Sequence, residues 1–238
     1  MRLEGLTDIA NGFLDIIYPP KCVGCGNLGA SYLCKSCIAR IEPVPRPYCQ
    51  HCGQVLTDGG CRACRDRAKS FTTARAAGQY SGVLRQAIHA FKYGGARVLA
   101  EPLAQFLHIY LKTHSDFPWE KCECIVGVPI HPARKRVRGY NQSELLADSL
   151  GTLLGLPVVM DSVVRNRQTR PQVELTSDER RTNMRNAFSL GSGCSVKGRA
   201  VLLLDDVTTT GSTIHECSAI LLKAGAAKVY VLCLALDV

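Results

Sequence analysis

No run of about 18 apolar residues occurs in the 238-residue sequence, which excludes a transmembrane helix. Aromatic side chains are few: one Trp, six Phe and eight Tyr offer little stacking surface for a single-stranded nucleic acid. No G-x-x-x-x-G-K-[ST] segment is present, so a Walker-type nucleotide site is not indicated. Neither glycine nor charge is in excess, at 21 Gly and 21% charged residues against 46% hydrophobic. Collagen-like, coiled-coil and wholly disordered chains are therefore excluded. The start, MRLEGLTDIANGFLDIIYPP, has no signal-peptide h-region, because Glu4, Asp8 and Asp15 interrupt it. Its spacing instead predicts an amphipathic helix within residues 1–20. Leu6, Ile9, Ala10, Phe13, Leu14 and Ile17 share one stripe, and Pro19–Pro20 stop it. That stripe packs on its own protein or on a membrane surface. The length holds one α/β domain with a small appendage, or two modest domains.

What the chain does have is cysteine, thirteen in all, with eight of them between Cys22 and Cys64. They fall as Cys22-x-x-Cys25, Cys34-x-x-Cys37, Cys49-x-x-Cys52 and Cys61-x-x-Cys64. All four cysteines of the first half recur at a shift of 27, which points to an internal duplication. Two C-x-x-C knuckles supply four tetrahedral thiolates, so residues 21–67 are expected to form a double zinc ribbon with two structural sites. Gly26 and Gly53 follow a knuckle cysteine, where a tight turn can need positive φ. CKSCIARI resembles the start of a helix at the second pair. Four ligands leave no open position, so such a metal replaces a core the small module cannot build. An iron–sulfur cluster is an alternative set of four thiolates. A disulfide module conflicts with the absence of an export signal, which favours a cytoplasmic protein. Sequential pairing, 22/25/34/37 and 49/52/61/64, is preferred; spacing leaves an interleaved pairing open. Cys122, Cys124, Cys194, Cys217 and Cys233 show no ligand spacing, and Cys217 and Cys233 lie in apolar stretches as small hydrophobes.

Residues 71–238 alternate between strand and helix. Strands are expected at 71–80, 124–128, 157–160 with 162–164, 200–205 and 229–236. Helices are expected over 81–112, broken at Tyr93-Gly94-Gly95, over 141–154 with Leu145, Leu146, Leu150 and Leu153 on one face, and over 213–224. Such alternation predicts an α/β fold with a parallel sheet, whose ligands sit at the carboxyl ends of the strands.

One of those ends carries unusual chemistry. Val201-Leu202-Leu203-Leu204 runs into Asp205-Asp206, then Val207, Thr208, Thr209, Thr210, Gly211, Ser212 and Thr213. The small-residue turn opens a helix, and its N–H groups form a cradle for phosphate. Two carboxylates beside that cradle repel phosphate; they suit hydroxyl groups or a divalent cation. A sugar phosphate satisfies both halves. The bland alternative is a helix cap beside a solvated acidic pair.

This segment resembles the phosphoribosyl pyrophosphate (PRPP) signature of type I phosphoribosyltransferases. The resemblance implies that Asp205 and Asp206 are catalytic, holding the ribose hydroxyls directly or through magnesium. It also implies that Thr208, Thr209, Thr210, Gly211, Ser212 and Thr213 bind PRPP. Purine-salvage members commonly carry an Asp where this chain has Thr209, whereas orotate-type members lack it. The turn after a second strand, Val128 and Pro129 with Arg134, Lys135 and Arg138, is where the family binds pyrophosphate; residues 131–138 hold four Lys/Arg and no acid. His131 there reads equally as a structural or an acid/base residue. Between two strands, Arg165–Arg185 corresponds to the family's mobile loop over the substrate, with Thr169, Gln172, Arg180 and Asn183 as its polar residues.

The full set is more specific. It comprises the cysteine module, Phe91-Lys92-Tyr93, Val128-Pro129, Arg138-Gly139-Tyr140-Asn141-Gln142, Thr169-x-x-Gln172-x-x-Leu175, Glu179-Arg180-x-x-Asn183-x-x-x-Ala187-Phe188 and the acid-pair segment. It resembles the ComF family of bacterial competence-associated proteins, which includes ComFC- and GntX-type members. The resemblance covers about residues 15–237 and implies a zinc ribbon joined to a phosphoribosyltransferase domain, linked to DNA uptake. Family members often show one cysteine set; the second is a departure. Two readings follow. One is a PRPP- and magnesium-dependent transferase of unstated acceptor. The other is a non-catalytic PRPP sensor that binds single-stranded DNA or docks on a DNA-import helicase or other competence partner. The charge, +9 from 29 Lys+Arg against 20 Asp+Glu, permits nucleic-acid contact without demanding it. This sheet class often forms homodimers.

Overall fold

A computed structural model describes residues 19–29, 31–57, 60–65, 70–167, 187–193 and 195–237. Residues 1–18 of the expected N-terminal helix lie outside the described residues, as do Thr169, Gln172, Arg180 and Asn183. Two short helices belong to the cysteine module, α1 (Lys35–Ile38) and α2 (Arg62–Arg65). Strand β1 (Thr73–Gln79) follows, then α3 (Gly82–Tyr93) and α4 (Ala100–Thr113) on either side of the expected glycine break. Next come β2 (Cys124–Gly127), α5 (Pro132–Arg138) and α6 (Gln142–Leu154). The chain continues through β3 (Val163–Arg165), β4 (Phe188–Leu190), β5 (Ala200–Thr208), α7 (Ser212–Lys223) and β6 (Lys228–Leu236).

The central sheet has the order β1-β6-β5-β2, with every neighbouring pair parallel. Strands β2, β5 and β6 read as near-continuous apolar runs because both faces are covered, whereas edge strand β1 carries Thr73, Arg75 and Gln79. On one face Ile125, Leu202, Leu204, Tyr230, Leu232 and Leu234 pack with Leu84, Ile88 and Phe91 of α3, with α4, and with Leu146 and Leu150 of α6. On the other, Val126, Val201, Leu203, Val229 and Val231 pack with Ile214, Cys217 and Leu221 of α7 and with Val163 and Phe188. The cysteine module divides between the faces: Cys22, Leu33 and Cys37 join the first core, and Cys52 joins the second. It also covers the outer edge of β1, since Gln79 N–H donates to the Glu42 carbonyl and Ala74 N–H to the His51 carbonyl. Arg75, on that edge, is buried against Asp116 at 2.9 Å.

Four expectations need correction. Residues 157–160 form no strand of their own; Val158 makes a single parallel bridge to Ile125 at the edge of β2. The 162–164 segment does form a strand, but as an antiparallel β3–β4 pair separate from the main sheet. The basic run 131–138 is helical rather than a turn. His131 Nδ1 accepts from Ala133 N–H, Pro132 stands in the first turn, and Gly139 closes the helix at φ 81°. His131 thus serves as a cap. On α6 the buried stripe is Leu146, Ala147, Leu150 and Gly151, while Leu153 is exposed.

Candidate functional site

Strand β5 carries its apolar run through Leu204 and delivers Asp205 and Asp206 at its carboxyl end, both buried. Asp205 Oδ1 accepts from Ser143 Oγ at 3.1 Å and from Asp206 N–H at 2.9 Å. Asp206 Oδ1 pairs with Lys92 Nζ at 2.8 Å, whereas its Oδ2 is buried with no hydrogen-bond partner. Thr208 Oγ1, two residues on, is likewise buried and unpartnered. Burial first, then the adjacent Asp206 carboxylate, push the Asp205 carboxyl up to about 7. Burial opposes the Lys92 charge, but Asp206 outweighs it and holds the ammonium above its ordinary range. Two neighbouring buried carboxyl groups, one with an oxygen unsatisfied, leave an acceptor open to an incoming donor or cation.

The turn beyond the acids contains Gly211 at φ 73°, the residue before α7; Thr210 Oγ1 and Ser212 Oγ lie 2.9 Å apart. Thr208 and Ser212 are buried, and Thr209, Thr210, Gly211 and Thr213 are half-buried around the same turn. Val128 joins this end of the sheet, because its N–H donates to the carbonyl of Leu204, immediately before Asp205. Pro129 follows at the start of the loop into α5. The basic residues of α5 are partly engaged elsewhere. Lys135 pairs with Glu144 at 2.8 Å, and Arg138 hydrogen-bonds Gln142 and lies over the Tyr93 ring at 5.3 Å. Burial first, then the Arg134 charge, lower the Arg165 guanidinium from its ordinary range.

Several short motifs converge on the acid pair. Phe91 offers its carbonyl to the Tyr140 hydroxyl, Lys92 reaches Asp206, and Tyr93 stacks with Arg138. Asn141 caps α6 by accepting from Ser143 N–H at 3.1 Å and donates to the Val128 carbonyl at 3.1 Å. That cap brings Ser143 to Asp205. Lys92 and Ser143 are site residues that sequence reading did not assign. A lysine inside an apolar-periodic helix was the available signal for the first; nothing local marked the second.

The eight cysteines form two separate clusters, Cys22/25/34/37 and Cys49/52/61/64, with the sulfurs of each within 4.8 Å of one another. This is the sequential pairing. A tetrahedral zinc with Zn–S of about 2.3 Å has S···S edges of about 3.8 Å. The spacings Cys25–Cys34 at 3.9 Å, Cys49–Cys64 at 3.8 Å and Cys52–Cys61 at 3.4 Å sit near that edge. Burial and the neighbouring sulfurs push Cys37 up to about 12, while the Ser36 hydrogen bond brings Cys34 down to about 6, so the four sulfurs do not ionise together without a cation among them. Gly26 and Gly53 adopt φ of 75° and 73° in the knuckles. Cys122, Cys124, Cys217 and Cys233 are buried among apolar side chains.

Residues 13–68 match a family described as double zinc ribbon domain. Competence protein F of Haemophilus influenzae is 35% identical over 89% of this chain and 94% of its own length. The DNA utilization protein YhgH of Escherichia coli is 32% identical over 87% of this chain and 91% of its own. Competence protein ComFC of Streptococcus pneumoniae is 28% identical over 82% of this chain and 84% of its own. Among solved structures, one described as the allosteric regulatory enzyme of purine biosynthesis aligns at 18% identity and a TM-score of 0.42, over 62% of this chain and 30% of that one. On its near-full-length likeness to competence protein F, and with its double zinc ribbon, this chain belongs to the ComF family of competence-associated proteins.

Proposed function

We propose that the chain binds PRPP with magnesium at the end of β5 and transfers the phosphoribosyl group to an acceptor, in the service of DNA uptake. It is read as a 21–67 double ribbon with two structural zinc ions on a 71–238 transferase-like domain, acting in the cytoplasm. The observation that carries this is the buried, partnerless Asp206 Oδ2 beside Asp205 and the glycine turn. Asp205 and Asp206 accept hydrogen bonds from the two ribose hydroxyls and stabilise positive charge growing at the anomeric carbon. The amides and hydroxyls of Thr208–Thr213 take the 5′-phosphate. The Val128–Pro129 turn, with Arg134, Lys135 and Arg138 behind it, faces the diphosphate. The anomeric C–O bond breaks with its electron pair leaving on pyrophosphate, and a nitrogen lone pair of the acceptor forms the new bond. Magnesium, where bound, supplies charge to that leaving group. Lys92 neutralises Asp206 before ligand arrives. The polar residues Thr169, Gln172, Arg180 and Asn183 are assigned to a cover over the substrate.

The test is a thermal-shift titration with PRPP and magnesium on wild type and on Asp205→Asn/Asp206→Asn. Ligand at 100 times its dissociation constant adds about 2.7 kcal/mol of stability. A shift in wild type that vanishes in the double variant is expected; no shift in the zinc-loaded wild type sinks the reading.

A second reading, contact with single-stranded DNA by a PRPP-sensing or docking protein, is favoured by one observation. Helix α5 carries Arg134, Lys135, Arg136 and Arg138 with no acid, and Arg138 lies over the ring of Tyr93, a residue that is 68% exposed. Steep salt dependence of single-stranded DNA binding supports it, and salt-insensitive or absent binding counts against it.

A further inference from the structure

The two zinc ribbons are sequence repeats, yet they contact the rest of the chain differently. In each knuckle the first cysteine's N–H donates to the carbonyl five residues on, Cys22 to Asn27 at 2.9 Å and Cys49 to Gln54 at 2.8 Å. Asn27 and Gln54 therefore stand at equivalent places. Asn27 is exposed. Gln54 is half-buried, and its side-chain Nε2 donates to the backbone carbonyl of Thr209, in the turn after the acid pair.

The second knuckle is fixed at several points. An added Cβ on Gly53 would lie 2.8 Å from the Ala74 carbonyl, so this knuckle seats against the β1 backbone. Thr73 Oγ1 donates to the Gln50 carbonyl at 3.0 Å, and Ala74 N–H to that of His51 at 2.8 Å. The His51 ring stacks on Phe71 at 4.8 Å, and Phe71 lies 4.6 Å from the His215 ring in the first turn of α7. Ser70 Oγ and His215 Nδ1 are 2.7 Å apart. The ribbon thus holds Thr209 directly through Gln54 and reaches His215 indirectly, through His51 on Phe71.

We infer that the second zinc ribbon braces the turn at the end of β5, with Gln54 as the positioning residue. A trans peptide is planar, so the Thr209 carbonyl and the Thr210 N–H point to opposite sides. Holding that carbonyl on the ribbon side aims the following N–H away from the ribbon. An anion cradle needs its amides aimed before the ligand arrives. The knuckle sets the position of Gln54, and Gln54 sets one peptide plane of the turn. The functional meaning of the brace rests on the PRPP reading above; the brace itself does not.

The experiment is amide hydrogen exchange on the full, zinc-loaded chain, comparing wild type with Gln54→Ala, Gln54→Glu and Asn27→Ala. Gln54→Glu keeps the side chain's size and removes its donor, which separates the hydrogen bond from packing. Both Gln54 variants are expected to exchange about fivefold faster across 209–213, the effect of losing one ordinary hydrogen bond, with two zinc equivalents retained. Asn27→Ala is expected to match wild type. Unchanged exchange in the Gln54 variants, or equal acceleration in Asn27→Ala, overturns the brace. A parallel PRPP titration is expected to weaken about fivefold in the Gln54 variants. If wild type binds no PRPP, the proposed function fails while the exchange result still decides the brace.

Discussion

Asp205 is held by Ser143 Oγ and the Asp206 N–H, and its carboxyl is pushed up to about 7 by burial and by Asp206. In the unfolded chain it ionises near pH 3.9, about the ordinary aspartate value. Between those values the folded state keeps a proton that the unfolded state releases. The associated stability is full below about pH 4 and is lost as pH rises through about 7. At pH 8 the folded protein carries an ionised, buried Asp205 at a cost. Asparagine can still accept from Ser143 and Asp206 without that charge. Asp205→Asn is therefore expected to have a higher Tm than wild type at pH 8, with the gap closing toward pH 6, while its response to PRPP and magnesium disappears. Scanning fluorimetry at pH 6, 7 and 8 checks both signs; a lower Tm for the variant at pH 8 contradicts the stated burden. The acid pair was legible because an apolar strand ending in two acids before a glycine turn is a local pattern. Its partners were not. Lys92 meets Asp206 only through tertiary packing of α3 on the sheet, and neighbouring sequence does not encode that distance.

At the scale of elements, the close packing of α6 on β2 is what brings Ser143 to the site. An added Cβ on Gly127 would sit 2.7 Å from the Ser143 carbonyl, a backbone atom with no rotamer to yield. Gly127→Ala is expected to destabilise the protein by about 2 kcal/mol, within the usual range for overpacking, and to weaken PRPP binding by displacing the Ser143–Asp205 hydrogen bond. Gly29→Ala, with open space around its Cβ, is the control and is expected to stay within about 0.5 kcal/mol of wild type. Urea denaturation with a PRPP titration on each variant measures both. Strands β2, β5 and β6 were readable from their apolar runs, since burial on both faces removes the polar alternation; β1, with Thr73, Arg75 and Gln79, lacks that mark. Residues 157–160 showed the same signal but lie where β2 ends the sheet, so one bridge is all they form. The helix over 132–138 had its own marks, Pro132 in the first turn and Gly139 after the last; a charge run with no apolar stripe hid them.

For the whole molecule, the division of the two ribbons between opposite faces makes metal binding and folding one process with two unequal parts. The first cluster anchors Cys22 and Cys37 beside Val83 and Leu84 of α3. The second anchors Cys52 beside Phe71 and Ala74 and, through Gln54, meets the turn at Thr209. Cysteine spacing did not reveal this asymmetry, because the repeats match cysteine for cysteine; it lies in the residues between them, such as Asn27 against Gln54, and in what those residues touch. Coupling between binding sites is reciprocal in affinity: if the second zinc steadies the turn for ligand, ligand tightens the second zinc by the same factor at equilibrium, and the tighter site is expected to open more slowly. Zinc release to an excess of chelator is therefore expected in two phases of equal amplitude. Saturating PRPP with magnesium slows one phase several-fold and leaves the other nearly unchanged. Gln54→Ala removes most of that difference without altering the phase insensitive to ligand. Equal slowing of both phases would mean that ligand acts through global stability alone, with the ribbons as passive staples. Slowing confined to one phase, and lost with Gln54, would make the second ribbon a part of the site it supports.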